Sequence, residues 1–169
     1  MDDRIRSVMF LGIILAIMCA PVTAERLVVD HLGGFNITFE VGEYQAIGTE
    51  NGLGGYSDFA VRFNGNVCEF AFAETNQIER ISVEKAVEEY IEYFAKERML
   101  TITSFSNVTD SQIGGQPAKV VSAVTDNNQT IIAGATNMGF TGRIGVGVIG
   151  NQEDFNKTVA LLLVEPVRA

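Results

Sequence analysis

The sequence predicts an α+β fold, in which a mainly antiparallel β-sheet packs against two amphipathic helices in the order ββββ-α-ββββ-α. Three observations predict it. Short apolar-rich runs, some alternating with polar residues, recur between turn residues, as strands do. Two other segments repeat apolar residues every three or four positions, as helices do. No repeat, low-complexity stretch or linker interrupts the rest, which predicts a single domain over residues 25–169.

The first 24 residues are expected to be a signal peptide and not part of the fold. Arg4 and Arg6 form a short basic region before the apolar run 8–20, which is shorter than the roughly 20 residues of a membrane-spanning helix. The tripeptide Val22-Thr23-Ala24 then offers small side chains for a signal peptidase, so cleavage is expected after Ala24. Retention of the segment as an uncleaved membrane anchor is the alternative.

Two cysteines are present, and neither predicts a disulfide. Cys19 would leave with the signal peptide, and its lipidation is disfavoured because the bulky Met18 precedes it. Cys68 would remain alone in an exported chain, which therefore depends on its own core for stability.

Four strands are expected in the first half of the domain, joined as two hairpins. Gly33-Gly34 and Asn64-Gly65-Asn66 form the turns, since such residues readily adopt positive φ. A glycine-rich stretch, 48–55, leads into a strand and is interpreted as a connection, not a phosphate-binding loop, which would lead into a helix. Cys68 should share a buried face with phenylalanines and act as a small hydrophobe. The four strands are predicted at Arg26–Leu32, Phe35–Val41, Phe59–Phe63 and Val67–Ala73.

A central helix is predicted from Val83 to Arg98, with Ser82 as its N-cap. Its opposite side carries glutamates and lysines, including Glu88 and Glu92, interpreted as a solvated face with a partner surface as the alternative. The apolar stripe consists of Val83, Val87, Tyr90, Ile91 and Phe94.

The second half predicts four more strands and a final helix. The link 126–129 suits a hairpin, and residues 113–117 form a turn that enters a strand. The helix is expected from Asn151 to Pro166, either as a well-covered helix or as a partner-docking face. Its apolar residues are Phe155, Val159, Leu161, Leu162, Leu163 and Val164. The strands are predicted at Thr101–Ser106, Ala118–Thr125, Ile131–Thr136 and Ile144–Ile149.

Composition excludes several functions. The net charge is −9 without a basic stretch, so nucleic acid is not an expected partner. One histidine and one remaining cysteine cannot supply a zinc cluster, and no cofactor is expected. Asp110, Asp126 and Asn127 leave an all-oxygen calcium site open, although they lack the spacing of a calcium-binding loop. A hydrolase would have to use His31, and the chain has no nucleophile-elbow motif.

Four sequons predict N-glycosylation, with unmodified asparagines as the alternative. Two of the sites fall in predicted loops, one on the wet face of a strand and one near the start of the last helix. They are Asn36, Asn107, Asn128 and Asn156.

Four segments together carry a resemblance to a known family: FNITFEVGEY, VEKAVEEYIEYF, IGGQPAKVV and GNQEDF. In order and character they resemble the Mog/PsbP/DcrB-like α/β sandwich, and the chain is also similar to small exported proteins of methanogenic archaea. The resemblance implies a binding or accessory subunit without catalytic residues.

The expected function is therefore a secreted or cell-surface binding or accessory domain that is not an enzyme. Its expected partner is an envelope or extracellular protein, and contact with a membrane is expected only through an uncleaved signal segment. A carrier of a small apolar or lipid ligand, held between sheet and helices, is the first alternative. A hydrolase that uses His31 is the second.

Overall fold

The computed structural model describes residues 26–48, 59–74 and 82–167. Within these ranges the chain forms eleven strands and two helices. Helix α1 is Val83–Lys96 and helix α2 is Gln152–Val159. The strands are β1 (Arg26–Leu32), β2 (Phe35–Glu40), β3 (Tyr44–Gly48), β4 (Phe59–Phe63), β5 (Cys68–Glu74), β6 (Ile102–Phe105), β7 (Thr109–Ile113), β8 (Gln116–Thr125), β9 (Thr130–Met138), β10 (Gly142–Ile149) and β11 (Leu163–Pro166).

Two antiparallel sheets and two helices form three layers. The large sheet has eight strands in the order β3-β4-β5-β10-β9-β8-β6, and β7 also pairs with β8. The small sheet has the order β1-β2-β11. Helix α1 packs on one face of the large sheet, and the small sheet and α2 cover the other, so each face has its own buried core. This architecture confirms the α+β prediction.

The alternation of side chains in β5 shows how the sequence divides these two cores. Cys68, Phe70 and Phe72 share one buried face, as predicted, and this face points toward the small sheet. Glu69 and Ala71 point the other way, toward α1. Successive strand residues face opposite sides of a sheet, so a run that looks uniformly apolar in sequence serves both layers.

Small residues on the α1-facing side of the sheet let the helix approach closely. A β-carbon placed on Gly147 of β10 would lie 2.3 Å from a ring atom of Phe94, which is fully buried. Gly145, on the same strand, lies under the ring of Tyr90. Alanines surround both glycines on this face. The aromatic stripe of α1 therefore packs against a surface of small side chains and fills the space between the two layers.

Helix α1 agrees with its prediction almost throughout. The Ser82 hydroxyl accepts a hydrogen bond from the Lys85 amide at 3.1 Å, as an N-cap does. The predicted stripe is buried except for Val83, which is partly exposed. The helix ends at Lys96, short of the predicted Arg98, because the chain turns at Met99 with a φ of 55°.

The predicted hairpin turns are confirmed, and the structure adds strands that the sequence pattern missed. Gly33 has a φ of 59° and lies so close to the β9–β10 turn that a β-carbon would overlap the Met138 carbonyl. Strand β3 was not predicted, since its alternation is weak and it is an edge strand. Strand β7 was not predicted because TDSQI buries only Ile113. The predicted order is corrected to five strands, α1, five strands, α2 and a last strand.

The C-terminal helix prediction was wrong in its second half. Helix α2 starts after Asn151 as expected, but it ends at Val159, and Leu163–Pro166 forms β11 on the edge of β2. An apolar run of this length fits a helix or a strand equally well, and pairing with β2 decides in favour of the strand. The predicted glycine-rich connection lies outside the described residues except at Gly48, which ends β3.

Candidate interaction surface

A cluster of charged side chains is buried between α1 and the large sheet. The carboxylate of Glu69 is fully buried and accepts three hydrogen bonds. The donors are Arg62 Nε at 2.7 Å, Tyr90 OH at 3.1 Å and Arg98 Nη2 at 3.2 Å. Arg62 also reaches Glu97 at 3.1 Å. We call Arg62, Glu69, Tyr90, Glu97 and Arg98 the Glu69 cluster.

The Glu69 cluster shifts the protonation equilibria of its members. Burial, together with the neighbouring Glu69 carboxylate, raises the pKa of the Tyr90 phenol well above its ordinary value. Burial works against the charge on Arg62, but its bonds to Glu69 and Glu97 outweigh burial and raise the pKa of that guanidinium. Burial is the stronger influence on Arg98 and lowers its pKa, although Glu69 opposes the shift.

The Glu69 cluster has a structural role, because its members bond to one another and to the backbone of neighbouring elements. Arg98 stacks 3.6 Å from the centre of the Phe94 ring and donates to the carbonyl oxygens of Phe94 and Asn66. No buried side-chain nitrogen or oxygen in the described part of the chain lacks a partner. The cluster ties the C-terminal end of α1 to the β4–β5 hairpin, and its polar groups are already engaged with one another.

Replacing Tyr90 with phenylalanine is expected to reduce the loss of stability at alkaline pH. The pKa of Tyr90 is higher in the folded chain than in the unfolded chain, where it is about 10. The unfolded chain therefore releases this proton first as pH rises. The contribution of the raised Tyr90 pKa to the free energy of unfolding is complete below about pH 10. It is lost as pH increases toward the pKa of Tyr90 in the folded chain.

Urea unfolding between about pH 9 and pH 11 measures this effect. The free energy of unfolding should fall more steeply for the natural protein than for Tyr90→Phe. Tyr93, whose pKa burial also raises, is present in both proteins and so cancels. If the free energies of unfolding of the two proteins fell equally with pH, the prediction would be contradicted.

A solvent-open groove lies where α1 meets the edge of the large sheet. One part, of about 310 Å³, is lined by Glu88, Glu92, Phe105, Ser106, Asn107, Val108 and Val121. The adjoining part, of about 460 Å³, shares Glu92 and Phe105 and is lined also by Ala95, Lys96, Met99, Leu100, Thr101 and Ile102. We call the two parts together the edge groove.

The floor of the edge groove is an interrupted edge strand. Strands β6 and β7 lie one after the other along β8, with Phe105 opposite Ala123 and Thr109 opposite Val120. Ser106 bridges part of the gap, since its amide donates to the Ser122 carbonyl at 2.8 Å. Among the described residues β6 pairs on one side only, which leaves alternate backbone groups of an edge strand available.

Exposed apolar side chains and carboxylates border the edge groove together. Met99 is 94% exposed and Phe105 is 49% exposed. Glu88 and Glu92 are exposed, and no cation among the described residues is within ion-pair distance of either. Lys96, one helical turn after Glu92, also lines the groove. The surface thus combines apolar contact area with a local excess of negative charge.

A second groove, of about 380 Å³, lies between α2 and the β4–β5 hairpin and is lined by residues that include Phe63, Asp154 and Leu161. Its ionisable and thiol groups are engaged within the protein. The Cys68 thiol is 3.6 Å from the Thr158 hydroxyl, Asp154 accepts from the Asn151 amide, and Lys157 pairs with Glu153 at 2.7 Å.

The architecture has a counterpart among solved structures. No family model and no curated protein matches the chain. A search of solved structures finds the solution structure of cyanobacterial PsbP (CyanoP) from Synechocystis sp. PCC 6803. It is 10% identical and aligns with a TM-score of 0.50 over 87% of this chain and 95% of that chain. The chain has a PsbP-like fold. The PsbP part of the expected resemblance is therefore confirmed at the level of the fold, whereas nothing in the comparisons supports the archaeal part.

Within the PsbP-like fold, the predicted glycosylation sites are distributed over different elements. Asn107 and Asn128 are exposed in the connections after β6 and β8, as expected, and Asn107 lines the edge groove. Asn156 is exposed on α2, where its side-chain oxygen accepts from Gln152 at 3.0 Å. Asn36 is partly exposed in β2, opposite Glu165 of β11. Glycosylation of all four stays a prediction.

The structure brings no metal ligands together among the residues that it describes, and no group of three or more acidic, histidine or cysteine side chains forms there. Asp110 pairs with Lys119 at 2.9 Å, and Asp126 follows the other end of β8. Strands rise about 3.3 Å per residue, so these two aspartates lie on the order of 20 Å apart. They do not form the calcium site that the sequence left open.

His31 lies in β1, as predicted, where the pairing with β2 is irregular between Val29 and Leu32. Its side chain is outside the described residues, as is the predicted signal peptide. Neither α1 nor α2 has the length and apolar character that a membrane crossing requires, among the residues that the structure describes.

The Glu69 cluster was not predicted from the sequence, although the sequence carries a signal for two of its five residues, Arg62 and Glu69. A turn at Asn64-Gly65-Asn66 places Arg62 directly opposite Glu69 in the β4–β5 hairpin. A glutamate within the apolar run CEFAFA, facing an arginine, indicates a buried ion pair. Arg98 and Tyr90 carry no such signal, because they reach Glu69 only when α1 packs on the sheet.

Proposed function

We propose that this PsbP-like domain is an exported, non-catalytic accessory domain that binds a partner protein outside the cytoplasm. The observation that carries the proposal is the edge groove, where exposed Met99 and Phe105 adjoin an unpaired sheet edge. Exposed apolar side chains gathered at a groove are typical of a protein-binding surface. The buried polar groups, in contrast, satisfy one another within the Glu69 cluster.

The carrier alternative has less support than protein binding. A carrier requires a closed apolar cavity between sheet and helices, but Tyr90 and Phe94 pack directly onto Gly145 and Gly147. The grooves described above open to solvent at the edges of the layers. The hydrolase alternative stays a prediction, since it depends on the side chain of His31.

Export is tested by expressing the full chain in a cell with a secretory pathway and determining the N-terminus of the product. We expect extracellular protein that begins at Glu25. The matched control is Leu15→Arg, which places a charge in the apolar run and should keep the product inside the cell. A native product that begins at Met1 in the cytosol would contradict export.

Glycosylation is tested on the same secreted material. Enzymatic removal of N-glycans should lower its mass, and Asn107→Gln and Asn128→Gln should each remove one glycan. A mass unchanged by deglycosylation would show that the sequons are unmodified, and it would leave the export result unaffected.

A further inference from the structure

We propose that the edge groove accepts an extended segment of a partner protein, added as a further strand along β6. The segment presents alternating basic and apolar side chains toward α1. This inference rests on the proposed function, because it names the chemistry of the partner that the accessory domain would bind. Four observations carry it.

The first observation is the backbone of Met99. This residue lies in the turn that ends α1, three positions after Lys96, and has a φ of 55°. In such a turn the left-handed conformation is usually adopted by glycine. The Leu100 amide donates to the Ala95 carbonyl at 3.0 Å, so the turn itself is a normal helix end. A bulky residue is strained in this conformation, and its side chain is 94% exposed. Met99 therefore does not serve the stability of the isolated domain.

The second observation is the available sheet edge beside that side chain. Strand β6 pairs with β8 alone among the described residues. Phe105, at its end, projects to the same side as α1, since it shares the groove with Glu88 and Glu92. An added strand would gain main-chain hydrogen bonds from β6, and every second side chain would lie against Phe105 and Met99.

The third observation is the charge around the groove. The carboxylates of Glu88 and Glu92 outnumber Lys96, and they have no cationic partner among the described residues. Lysine and arginine suit such a surface because their alkyl stems can cover Phe105 while their charged ends reach the glutamates. Charge complementarity therefore selects a basic segment and disfavours an acidic one.

The fourth observation disfavours a second copy of this chain as the occupant. Antiparallel pairing of two β6 edges would bring the same carboxylates of both copies to one interface. The chain also carries a net charge of −9, which opposes self-association. The partner is therefore a different polypeptide.

The direct test uses designed peptides and the secreted protein labelled with ¹⁵N. The probe is Thr-Lys-Thr-Ile-Thr-Lys-Thr, and the matched acidic peptide has glutamate in place of lysine. We expect the basic peptide to shift the amide resonances of residues 102–106 and to bind about tenfold more tightly than the acidic one. The measurement is repeated with Asn107→Gln, so that a glycan beside the groove cannot block the peptide.

Variants then separate the groove from general charge. Glu88→Gln with Glu92→Gln should weaken binding about tenfold, and added salt should weaken binding in the natural protein more than in this variant. The matched control, Glu153→Gln with Glu165→Gln, changes the net charge equally on distant elements and should leave binding unchanged.

Met99→Gly should weaken peptide binding without destabilising the fold, which distinguishes it from a variant that binds less because it is partly unfolded. Removing the strained side chain should raise Tm by about 3 °C while weakening peptide binding several-fold. Phe140→Ala, which truncates another exposed apolar side chain, should change neither binding nor the resonances of β6.

Several results would overturn the inference. These are equal binding of the two peptides, resonance shifts confined to β1, β3 or β11, or a concentration-dependent dimer that occupies the β6 edge. Failure here is distinguishable from failure of the proposed function. If the protein is secreted but binds neither peptide, only the proposed partner chemistry is refuted. If the protein stays in the cytosol but binds the basic peptide, only export is refuted.

Discussion

Replacing Glu69 with glutamine is expected to lower the free energy of unfolding by about 3–5 kcal/mol, since it removes one partner of a buried ion pair. Glu69 has a fully buried carboxylate, and the side chain of Arg98 is only 4% exposed. Glutamine keeps the shape but not the charge, so Arg62 and Arg98 both lose their ion pair with Glu69, and Arg62 keeps only its pair with Glu97. One of them, Arg98, then stays buried without a counter-ion.

Urea unfolding at neutral pH measures this loss, and circular dichroism establishes that the variant still folds. The matched control is Glu153→Gln, which breaks an exposed pair with Lys157 and should change stability little. Glu69→Asp, which keeps the charge, should recover part of the loss. Equal stabilities of the Glu69→Gln and Glu153→Gln proteins would show that the buried cluster does not fasten α1 to the sheet.

Replacing Phe70 with alanine is expected to lower the free energy of unfolding by about 3–5 kcal/mol, because it leaves a cavity where the two sheets meet. The Phe70 ring is fully buried in β5. Its centre lies 4.9 Å from that of Phe39 in the small sheet and 5.2 Å from that of Phe63. The variant therefore loses contacts within the large sheet and between the two sheets.

The control for Phe70→Ala is the same substitution at Phe140, which is 82% exposed in the β9–β10 turn and should cost far less. Hydrogen exchange supplies a second readout. Amides of β2 should lose protection in Phe70→Ala, since Phe39 would lose the nearer of its two ring contacts with the large sheet, at 4.9 Å against 5.8 Å for Phe72. Unchanged protection in β2 would contradict the proposed role of Phe70 in joining the sheets.

The aromatic core around Phe70 and the Glu69 cluster differ in how far the sequence could have predicted them. The aromatic core follows from alternation in CEFAFA, which already places Cys68, Phe70 and Phe72 on one face. Arg62 and Glu69 follow from the register of a hairpin whose turn is recognisable. The contact of Arg98 with Glu69 can be predicted neither from strand alternation nor from hairpin register, because it depends on where α1 lies on the sheet.

By itself, the sequence determined the features that depend on neighbouring residues. These are the stripe and N-cap of α1, the glycine and asparagine turns, and the division of strand residues between two faces, since each follows from local periodicity or local backbone preference. Only the tertiary structure decided that Leu163–Pro166 is a strand, that TDSQI joins the sheet, and that Met99 adjoins Phe105 at an open edge. Those features arise from pairing and packing between distant segments, and the same residues would satisfy a helix, a loop or a covered edge equally well without their neighbours.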